Sequence, residues 1–192
     1  MGSLQAPDFS QFIGRLARTL EEHGLPFMLI GGQAVLLHGR PRLTEDIDVT
    51  LGIAPDQLPA VLAVCHALGL EPLPERLEAF VRATSVLPAT HPTTGLRVDF
   101  IFSTMPYERQ AIERALHITV AGVKVPFATA EDLVLHKLFA GRALDWEDAI
   151  GVVRRRGSTM DWEYLRRWAD EFATVPGRED LPARLSQLRE EA

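Results

Sequence analysis

The sequence is poor in the residues that build covalent cross-links and zinc sites. It has a single cysteine, Cys65, which excludes an internal disulfide and a cysteine-rich zinc site. Cys65 lies in the apolar stretch 60–70, so we expect it in the core. The six histidines show none of the short spacings typical of a metal site. Nothing in the composition therefore points to a zinc enzyme.

Membrane and export features are also missing. The N-terminus has no charged leader followed by an apolar segment, and no stretch reaches the run of about 18 apolar residues that a transmembrane helix needs. We therefore expect a cytoplasmic protein without a membrane partner.

Positive charge is in short supply. The chain has 20 lysines and arginines against 26 aspartates and glutamates, for a formal net charge of -6. This balance argues against broad, non-specific coating of nucleic acid. A local cluster remains, formed by Arg154 to Arg156 with Arg166 and Arg167. It fits either a basic surface for an RNA acceptor or acidic partner, or a solvated helix face.

A glycine pair interrupts the most informative apolar run. Residues 27–30 read as a buried strand, and Gly31-Gly32 ends it before a short helix at about 33–38. Without a Cβ atom, glycine lets backbone N–H groups at a helix N-terminus approach an anion such as a phosphate. The turn is therefore a candidate phosphate-binding site.

Two aspartates follow after a spacer. Asp46 and Asp48 flank Ile47, and strand alternation puts both carboxylates on one face while Ile47 and Val49 point into the core. Such a pair suits Mg²⁺, which proteins hold with one or two carboxylates plus substrate phosphates. The other interpretation is an edge strand with a solvated acidic face.

The combination resembles the signature of the polymerase-β-like nucleotidyltransferase superfamily. Within it, the pattern Arg42-x-Thr44-x-Asp46-Ile47-Asp48 is similar to minimal nucleotidyltransferases of the abortive-infection, type IV toxin kind. The superfamily needs a third carboxylate on a later strand. The resemblance assigns this role to Asp99, which alternates with apolar residues in the stretch 96–102.

The segment between the glycines and the aspartates adds further site candidates. Arg40 and Arg42 suit bidentate contacts to triphosphate oxygens, although one of them pairing with Glu45 or a sheet carboxylate fits equally well. The resemblance makes Thr44 another site candidate, orienting the entrance to the aspartate strand.

Lys137 stands out in the helix predicted at 130–141. It follows Val134 and Leu133 at helical spacing and so shares the apolar stripe. A buried ammonium needs an anionic partner, which is either a nucleotide triphosphate or an aspartate. In the toxin-like relatives a lysine in such a helix, followed by an arginine and an aspartate, belongs to the active site. The resemblance implies that Lys137 contacts phosphate and that Asp145, after Arg142 and a turn before Asp148, is a site or lysine-orienting residue.

The expected fold is α/β (α+β). The resemblance implies a nucleotidyltransferase-fold mixed β-sheet with packed helices and a helical C-terminal part. We expect residues 1–128 to form the core and residues 129–192 to complete the active site. The sequence predicts helices at 8–23, 55–68 and 107–115, a strand near 83–87, and a hairpin at 118–127 that turns at Ala121-Gly122. Thr129 and Asp132 predict a capping box.

The resemblance implies an enzyme that moves a nucleoside monophosphate from an NTP to an acceptor hydroxyl and releases pyrophosphate. Asp46, Asp48 and Asp99 would bind Mg²⁺ and carry catalysis, with Gly31 and Gly32 on the phosphates. The expected acceptor is RNA, tRNA or protein, as in a toxin with a cognate antitoxin. Two alternatives stay open: transfer to a small molecule such as an antibiotic, and a non-catalytic binding module that kept the fold.

Overall fold

The computed structural model describes residues 9–40, 44 and 46–192. These residues form two compact units. The sheet unit comprises Phe9 to Leu29 and Asp46 to Phe127, and the helical unit comprises Ile30 to Arg40, Thr44 and Ala128 to Ala192. Arg42 and Glu45 lie outside the described residues.

The sheet unit holds every strand found in the described chain. Its elements in chain order are α1 (Phe9–Glu22), β1 (Phe27–Leu29), β2 (Asp46–Leu51), a 3-10 turn (Pro55–Gln57), α3 (Leu58–Leu68), β3 (Glu71–Pro72), α4 (Leu77–Thr84), β4 (Val86–Thr90), β5 (Arg97–Ile101), α5 (Pro106–Glu113), β6 (Leu116–Val120) and β7 (Val123–Phe127). In the chain, α2 (Gly31–His38) lies between β1 and β2 and belongs to the helical unit.

The strands form one mixed sheet in the order β3-β4-β5-β2-β1-β7-β6. The pairs β2–β5 and β1–β7 are parallel, and the others are antiparallel. This mixed sheet with packed helices confirms the predicted fold class. Strands β2 and β5 lie side by side near its centre, so the residues they carry have fixed neighbours on both sides.

Alternation along the central strands builds the core of the sheet unit. Ile47 and Val49 on β2 and Val98 and Phe100 on β5 are fully buried, while the residues between them face the other way. Helix α1 buries Phe12, Ile13, Leu16 and Leu20 at helical spacing and contacts β7 and α3. Burial of these apolar side chains holds the strands in register, because a one-residue slip would turn them to the opposite face.

One prediction in this unit is wrong. The strand expected near 83–87 begins only at Val86, and residues 77–84 form helix α4 instead. The helix ends at Ser85, which adopts a left-handed conformation with φ 57°. The neighbouring prolines at 72, 74 and 88 hid this short helix, since proline suggests a turn or a break. Pro88 in fact lies inside β4, opposite Asp99.

The predicted hairpin is confirmed. Strands β6 and β7 pair antiparallel and turn at Ala121-Gly122, where both residues have positive φ, 48° and 80°. Two consecutive positive φ angles define the type I′ turn, which matches the natural twist of a hairpin and explains the glycine.

The helical unit contains α2, α6 (Ala130–Ala140), α7 (Ala143–Arg156), α8 (Trp162–Phe172) and α9 (Leu181–Glu191). The predicted cap at the start of α6 is present, since Thr129 Oγ1 accepts a hydrogen bond from the Asp132 N–H at 3.1 Å. Tyr164 on α8 donates a hydrogen bond of 2.6 Å to the buried Asp132 carboxylate and so ties α8 to α6. Every helix in the described ranges is too short or too polar to cross a lipid bilayer.

Candidate active site

The predicted aspartate pair lies on strand β2. Asp46 is exposed and Asp48 is half-buried, whereas Ile47 and Val49 between and after them are buried. The two carboxylates therefore share one face of the strand, as alternation predicts.

Asp99 lies next to this pair on strand β5. The parallel register places Asp99 directly beside Asp48, and Arg97 directly beside Asp46. Neighbouring strands are about 4.8 Å apart, so β2 and β5 bring the three predicted carboxylates to one face of the sheet. Asp99 thus lies on the same sheet face as Asp46 and Asp48, and its role as the third site carboxylate stays a prediction.

Arg97 is a member of this cluster that the sequence analysis did not identify. Its Nε lies 3.0 Å from Oδ1 of Asp99 and its Nη2 lies 3.3 Å from Oδ2, so the guanidinium grips both carboxylate oxygens. The hydrogen bond with Asp99 raises the pKa of Arg97, and the charges of Asp99, Asp46 and Asp48 add to the effect. The sequence signal was present, since residues two apart on a strand share a face.

The chemistry of this cluster fits a hard divalent cation. Carboxylate oxygens are the ligands that Mg²⁺ prefers, and two of the three carboxylates lie side by side in the sheet. In the described ranges, however, no three acidic, histidine or cysteine side chains already converge as a metal site. The donor atoms are suitable, but the side chains, including the Arg97-bound Asp99, would have to rearrange around a cation.

The predicted glycine turn lies in the helical unit. Helix α2 begins at Gly31, two residues earlier than predicted, and Gly31 has a positive φ of 61°. Position 32 has no room for a side chain, because a Cβ atom at Gly32 would lie only 2.7 Å from the Thr44 Cβ. The structure therefore brings three predicted site residues together: Gly31, Gly32 and Thr44. Arg42, predicted beside them, lies outside the described residues.

Lys137 lies in a buried ion-pair cluster on the other helices of this unit. Its Nζ is 2.8 Å from Asp145 Oδ1 and 2.9 Å from Asp148 Oδ2, and its side chain is only 7% exposed. The sequence left two possible partners for Lys137, a nucleotide triphosphate or an aspartate, and in the structure its partners are aspartates. Asp148, which the sequence analysis noted only as a neighbour of Asp145, also contacts Lys137 because it lies one turn after Asp145 on α7.

Arg142 completes the cluster from outside. Its side chain is 78% exposed, and its Nε donates a hydrogen bond of 2.7 Å to Asp145 Oδ2. Burial by itself would raise the pKa of Asp145, but hydrogen bonds from Arg142 and Lys137 outweigh burial, and the pKa lies below its ordinary value. Asp145 is thus an anion held between two cations, and it fixes the position of the Lys137 ammonium.

A cleft of about 880 Å³ lies against α7 in the same unit. Exposed Arg40, Arg154 and Arg155 line it, together with the exposed Leu144. Asp148 of the Lys137 cluster also lines the cleft, so the cleft and the buried ammonium share a carboxylate. Arg155 is oriented by a 3.1 Å hydrogen bond from its Nη1 to the Gly39 carbonyl.

The sequence matches one known protein family over most of its length. Residues 15–148 match the family described as "Nucleotidyl transferase AbiEii toxin, Type IV TA system". This range includes both the aspartate strands and the Lys137 cluster. No curated protein matches the chain.

Solved structures share the fold at low sequence identity. The solution structure of the antibiotic-resistance factor ANT(2'')-Ia is 16% identical, with a TM-score of 0.60, and the match covers 97% of each chain. An antigenic nucleotidyltransferase-like protein from Paracoccidioides brasiliensis is 17% identical, with a TM-score of 0.53, over 92% of this chain and 91% of that one. The lincomycin-bound lincosamide antibiotic adenylyltransferase LnuA is 15% identical, with a TM-score of 0.51, over 74% of this chain and 94% of that one. These likenesses confirm the nucleotidyltransferase fold.

Proposed function

The chain belongs to the AbiEii nucleotidyltransferase toxin family and is a nucleotidyltransferase, and we propose that it moves a nucleoside monophosphate from an NTP to an acceptor hydroxyl with the help of Mg²⁺. The new bond joins the acceptor oxygen to the α-phosphorus, the bond from that phosphorus to the β-phosphate oxygen breaks, and pyrophosphate leaves. The observation that carries the proposal is the register of β2 and β5, which sets Asp48 beside Asp99.

In the proposed reaction, the sheet carboxylates bind the metal ion and accept the proton of the acceptor hydroxyl. Asp46, Asp48 and Asp99 would hold the cation, because their oxygens are suitable ligands on adjacent strands. Bound Mg²⁺ would offset the charge of the triphosphate and lower the pKa of the acceptor hydroxyl. Asp99 would accept the proton of that hydroxyl as its oxygen attacks, since a carboxylate within reach serves as a general base.

The helical unit provides the phosphate-binding groups. Gly31 and Gly32 start helix α2, where backbone N–H groups have no partner within the helix and favour an anion. Lys137 has three N–H donors, and Asp145 and Asp148 take two of them. A phosphate oxygen would take the third, which makes Lys137 suited to offset charge as the pyrophosphate leaves.

The acceptor that the chemistry favours is an anionic polymer such as RNA or tRNA, as expected of a toxin. The cleft along α7 presents three arginines, Arg40, Arg154 and Arg155, against two acidic residues, Glu147 and Asp148, of which Asp148 is paired with Lys137. Guanidinium groups bind phosphate and repel cationic ligands. A protein hydroxyl is the second acceptor class that the toxin-like family suggests, with a cognate antitoxin as partner.

Transfer to a small molecule such as an antibiotic is the remaining alternative. The net charge of -6 favours a cationic small molecule over RNA, whereas the arginines of the cleft oppose it. The further alternative, a non-catalytic module, loses its basis because the chain is a nucleotidyltransferase.

The donor site is tested first by thermal unfolding with each of the four NTPs and Mg²⁺. A nucleotide at about 100 times its dissociation constant should stabilise the protein by roughly 2.7 kcal/mol. We expect one nucleotide to raise the Tm of the wild type in a metal-dependent way, and we expect no rise in the variant Asp46→Ala/Asp48→Ala. Asp56→Ala, which changes an aspartate in the Pro55–Gln57 turn, is the control.

The acceptor is then identified with the same nucleotide labelled on its α-phosphate. Label in total tRNA would support the RNA acceptor, and label in an aminoglycoside or lincosamide would support the small-molecule alternative. No Tm shift with any nucleotide would contradict the proposed donor site.

A further inference from the structure

Arg97 occupies the carboxylate oxygens of Asp99, which are the atoms that Asp99 would use to bind a metal ion. Its guanidinium bonds both oxygens of Asp99, at 3.0 and 3.3 Å. The Asp99 side chain is only 22% exposed, and that of Arg97 is 46% exposed. A carboxylate with both oxygens engaged by a guanidinium has fewer lone pairs for a cation.

The register places Arg97 among the three carboxylates. Arg97 lies directly beside Asp46 on β2, while Asp99 lies beside Asp48. Arg97 and the three aspartates therefore share one face of the sheet. Carboxylates this close repel one another unless a cation lies between them, and in the structure the guanidinium fills part of that need.

An ordinary surface ion pair does not account for this arrangement. Exposed pairs contribute little to stability, whereas this guanidinium holds both oxygens of a carboxylate that is only 22% exposed. In the described ranges the carboxylates do not converge as a group of three metal ligands, and the guanidinium that holds Asp99 is one cause that the structure offers for this.

We propose that Arg97 is the resident counter-ion of the carboxylate cluster and that the divalent metal displaces it from Asp99. Arg97 is thus a positioning residue that acts through Asp99. Without metal it balances the charge of the carboxylates, and a metal ion can bind Asp99 only after the Arg97–Asp99 pair is released. This inference rests on the proposed metal-dependent transfer.

The test is Mn²⁺ binding to the full chain without nucleotide, followed by the electron paramagnetic resonance signal of free Mn²⁺. Arg97→Gln removes the guanidinium and should tighten Mn²⁺ binding by about two- to fivefold, the range that corresponds to loss of a competing, partly exposed charged pair. Arg97→Lys keeps the charge but lacks the bidentate fork, so its effect should be smaller. Arg82→Gln, an exposed arginine on α4, should leave the Mn²⁺ affinity unchanged.

A double-mutant cycle separates action through Asp99 from general electrostatics. If Arg97 competes for the Asp99 oxygens, Arg97→Gln should have little effect once Asp99→Asn has removed the shared partner. If the effect of Arg97→Gln is as large in that background, the arginine acts through space and the proposed displacement is wrong. Unchanged or weaker Mn²⁺ binding in both Arg97→Gln and Arg97→Lys would also overturn it.

Failure of the metal site itself gives a different result. If neither the wild type nor any Arg97 variant binds Mn²⁺, or if binding persists in Asp46→Asn/Asp48→Asn, the proposed carboxylate site is wrong, and the displacement proposal falls with it. Circular dichroism of each variant shows whether it folds. Should Arg97→Gln not fold, Arg97→Lys carries the comparison alone, with the same two outcomes.

Discussion

Asp48 and Asp99 lie directly beside each other on the parallel strands β2 and β5. The strand spacing of about 4.8 Å keeps their backbones close, and the buried residues on either side of them, Val49 and Phe100 among others, prevent a shift of register. Two carboxylates whose strands are held in this way by a buried core are placed next to each other by the fold itself, which is the premise of the proposed cation site.

The first prediction follows from this pair. Asp48→Asn keeps the shape of the side chain but removes the charge that would bind the metal. Because loss of an outer-shell partner of a metal site already costs about 10- to 100-fold, we expect loss of this ligand to reduce nucleotide transfer by more than about 100-fold. Transfer is measured with an α-labelled NTP and the Tm by circular dichroism.

Asp56→Asn, in the turn before α3, is the matched control and should retain wild-type transfer. An Asp48→Asn protein that is folded and turns over at near the wild-type rate would remove Asp48 from the active site.

The second prediction concerns the Lys137 cluster. Lys137→Met leaves Asp145 and Asp148 buried without the ammonium between them. Breaking a buried ion pair by removing one partner destabilises a protein by about 3–5 kcal/mol. We expect a loss of this size in urea unfolding, with part of it regained in Lys137→Met/Asp145→Leu, where one of the two buried carboxylates is gone. Lys124→Met, at the exposed position of strand β7, is the control.

The same variants separate the structural role of Lys137 from its proposed contact with phosphate. If Lys137 binds the triphosphate, the NTP-dependent rise in Tm should shrink in Lys137→Met/Asp145→Leu relative to the wild type. An equal rise in both proteins would limit Lys137 to holding α6 and α7 together.

How much of this architecture could be predicted depends on whether a signal is local. Strand alternation around Asp46 and Asp48, the Thr129 cap and the Ala121-Gly122 turn are local patterns, and the structure has all three. Helix α4 was missed because the prolines around it suggested an irregular segment.

Long-range relationships were less accessible. The register that pairs Asp48 with Asp99 joins residues about fifty positions apart, and only the resemblance to known nucleotidyltransferases suggested it. Alternation alone puts Arg97 on the same strand face as Asp99, which it contacts. Alternation does not by itself distinguish such a contact from an arginine that extends into solvent.

The third prediction addresses the glycine turn. A methyl group at Gly32 would lie 2.7 Å from the Thr44 Cβ, too close for van der Waals contact. Gly32→Ala should therefore destabilise the protein by about 1–3 kcal/mol, the usual effect of overpacking, and should weaken the NTP-dependent rise in Tm. The double variant Gly32→Ala/Thr44→Gly, which removes the clashing side chain, should be less destabilised than Gly32→Ala.

Gly151→Ala is the control for this series. Gly151 lies inside α7, where an added Cβ would meet its nearest neighbour, the Arg40 backbone nitrogen, at 3.4 Å. Alanine favours the helix over glycine by up to about 1 kcal/mol, so this variant should be as stable as the wild type or more so. Equal stability of Gly32→Ala and the wild type would show that Thr44 moves aside freely and that the close approach has no role.

The fourth prediction concerns pH and rests on His136 in helix α6. The pKa of His136 is lowered from 6.5 to about 4, mainly by burial; the charge of Asp132 opposes this change and that of Lys137 adds to it. Between these two pH values the unfolded chain binds a proton that the folded chain does not, so the free energy of unfolding must fall as the pH falls from about 6.5 to 4. Burial also lowers the pKa of His38, which adds to the same trend.

His136→Gln should therefore lose less stability than the wild type between pH 6.5 and pH 4, while the two proteins run parallel above pH 7. Over this pH range the wild type should lose at most about 3 kcal/mol more unfolding free energy than His136→Gln. Because His136 is partly exposed, solvent screening should reduce this difference. Urea unfolding at several pH values measures it, with the exposed His66→Gln as the control for loss of an imidazole elsewhere. If His136→Gln and the wild type lose stability equally over this range, the buried imidazole takes up its proton in the folded state, and the acid sensitivity of the protein arises from other groups.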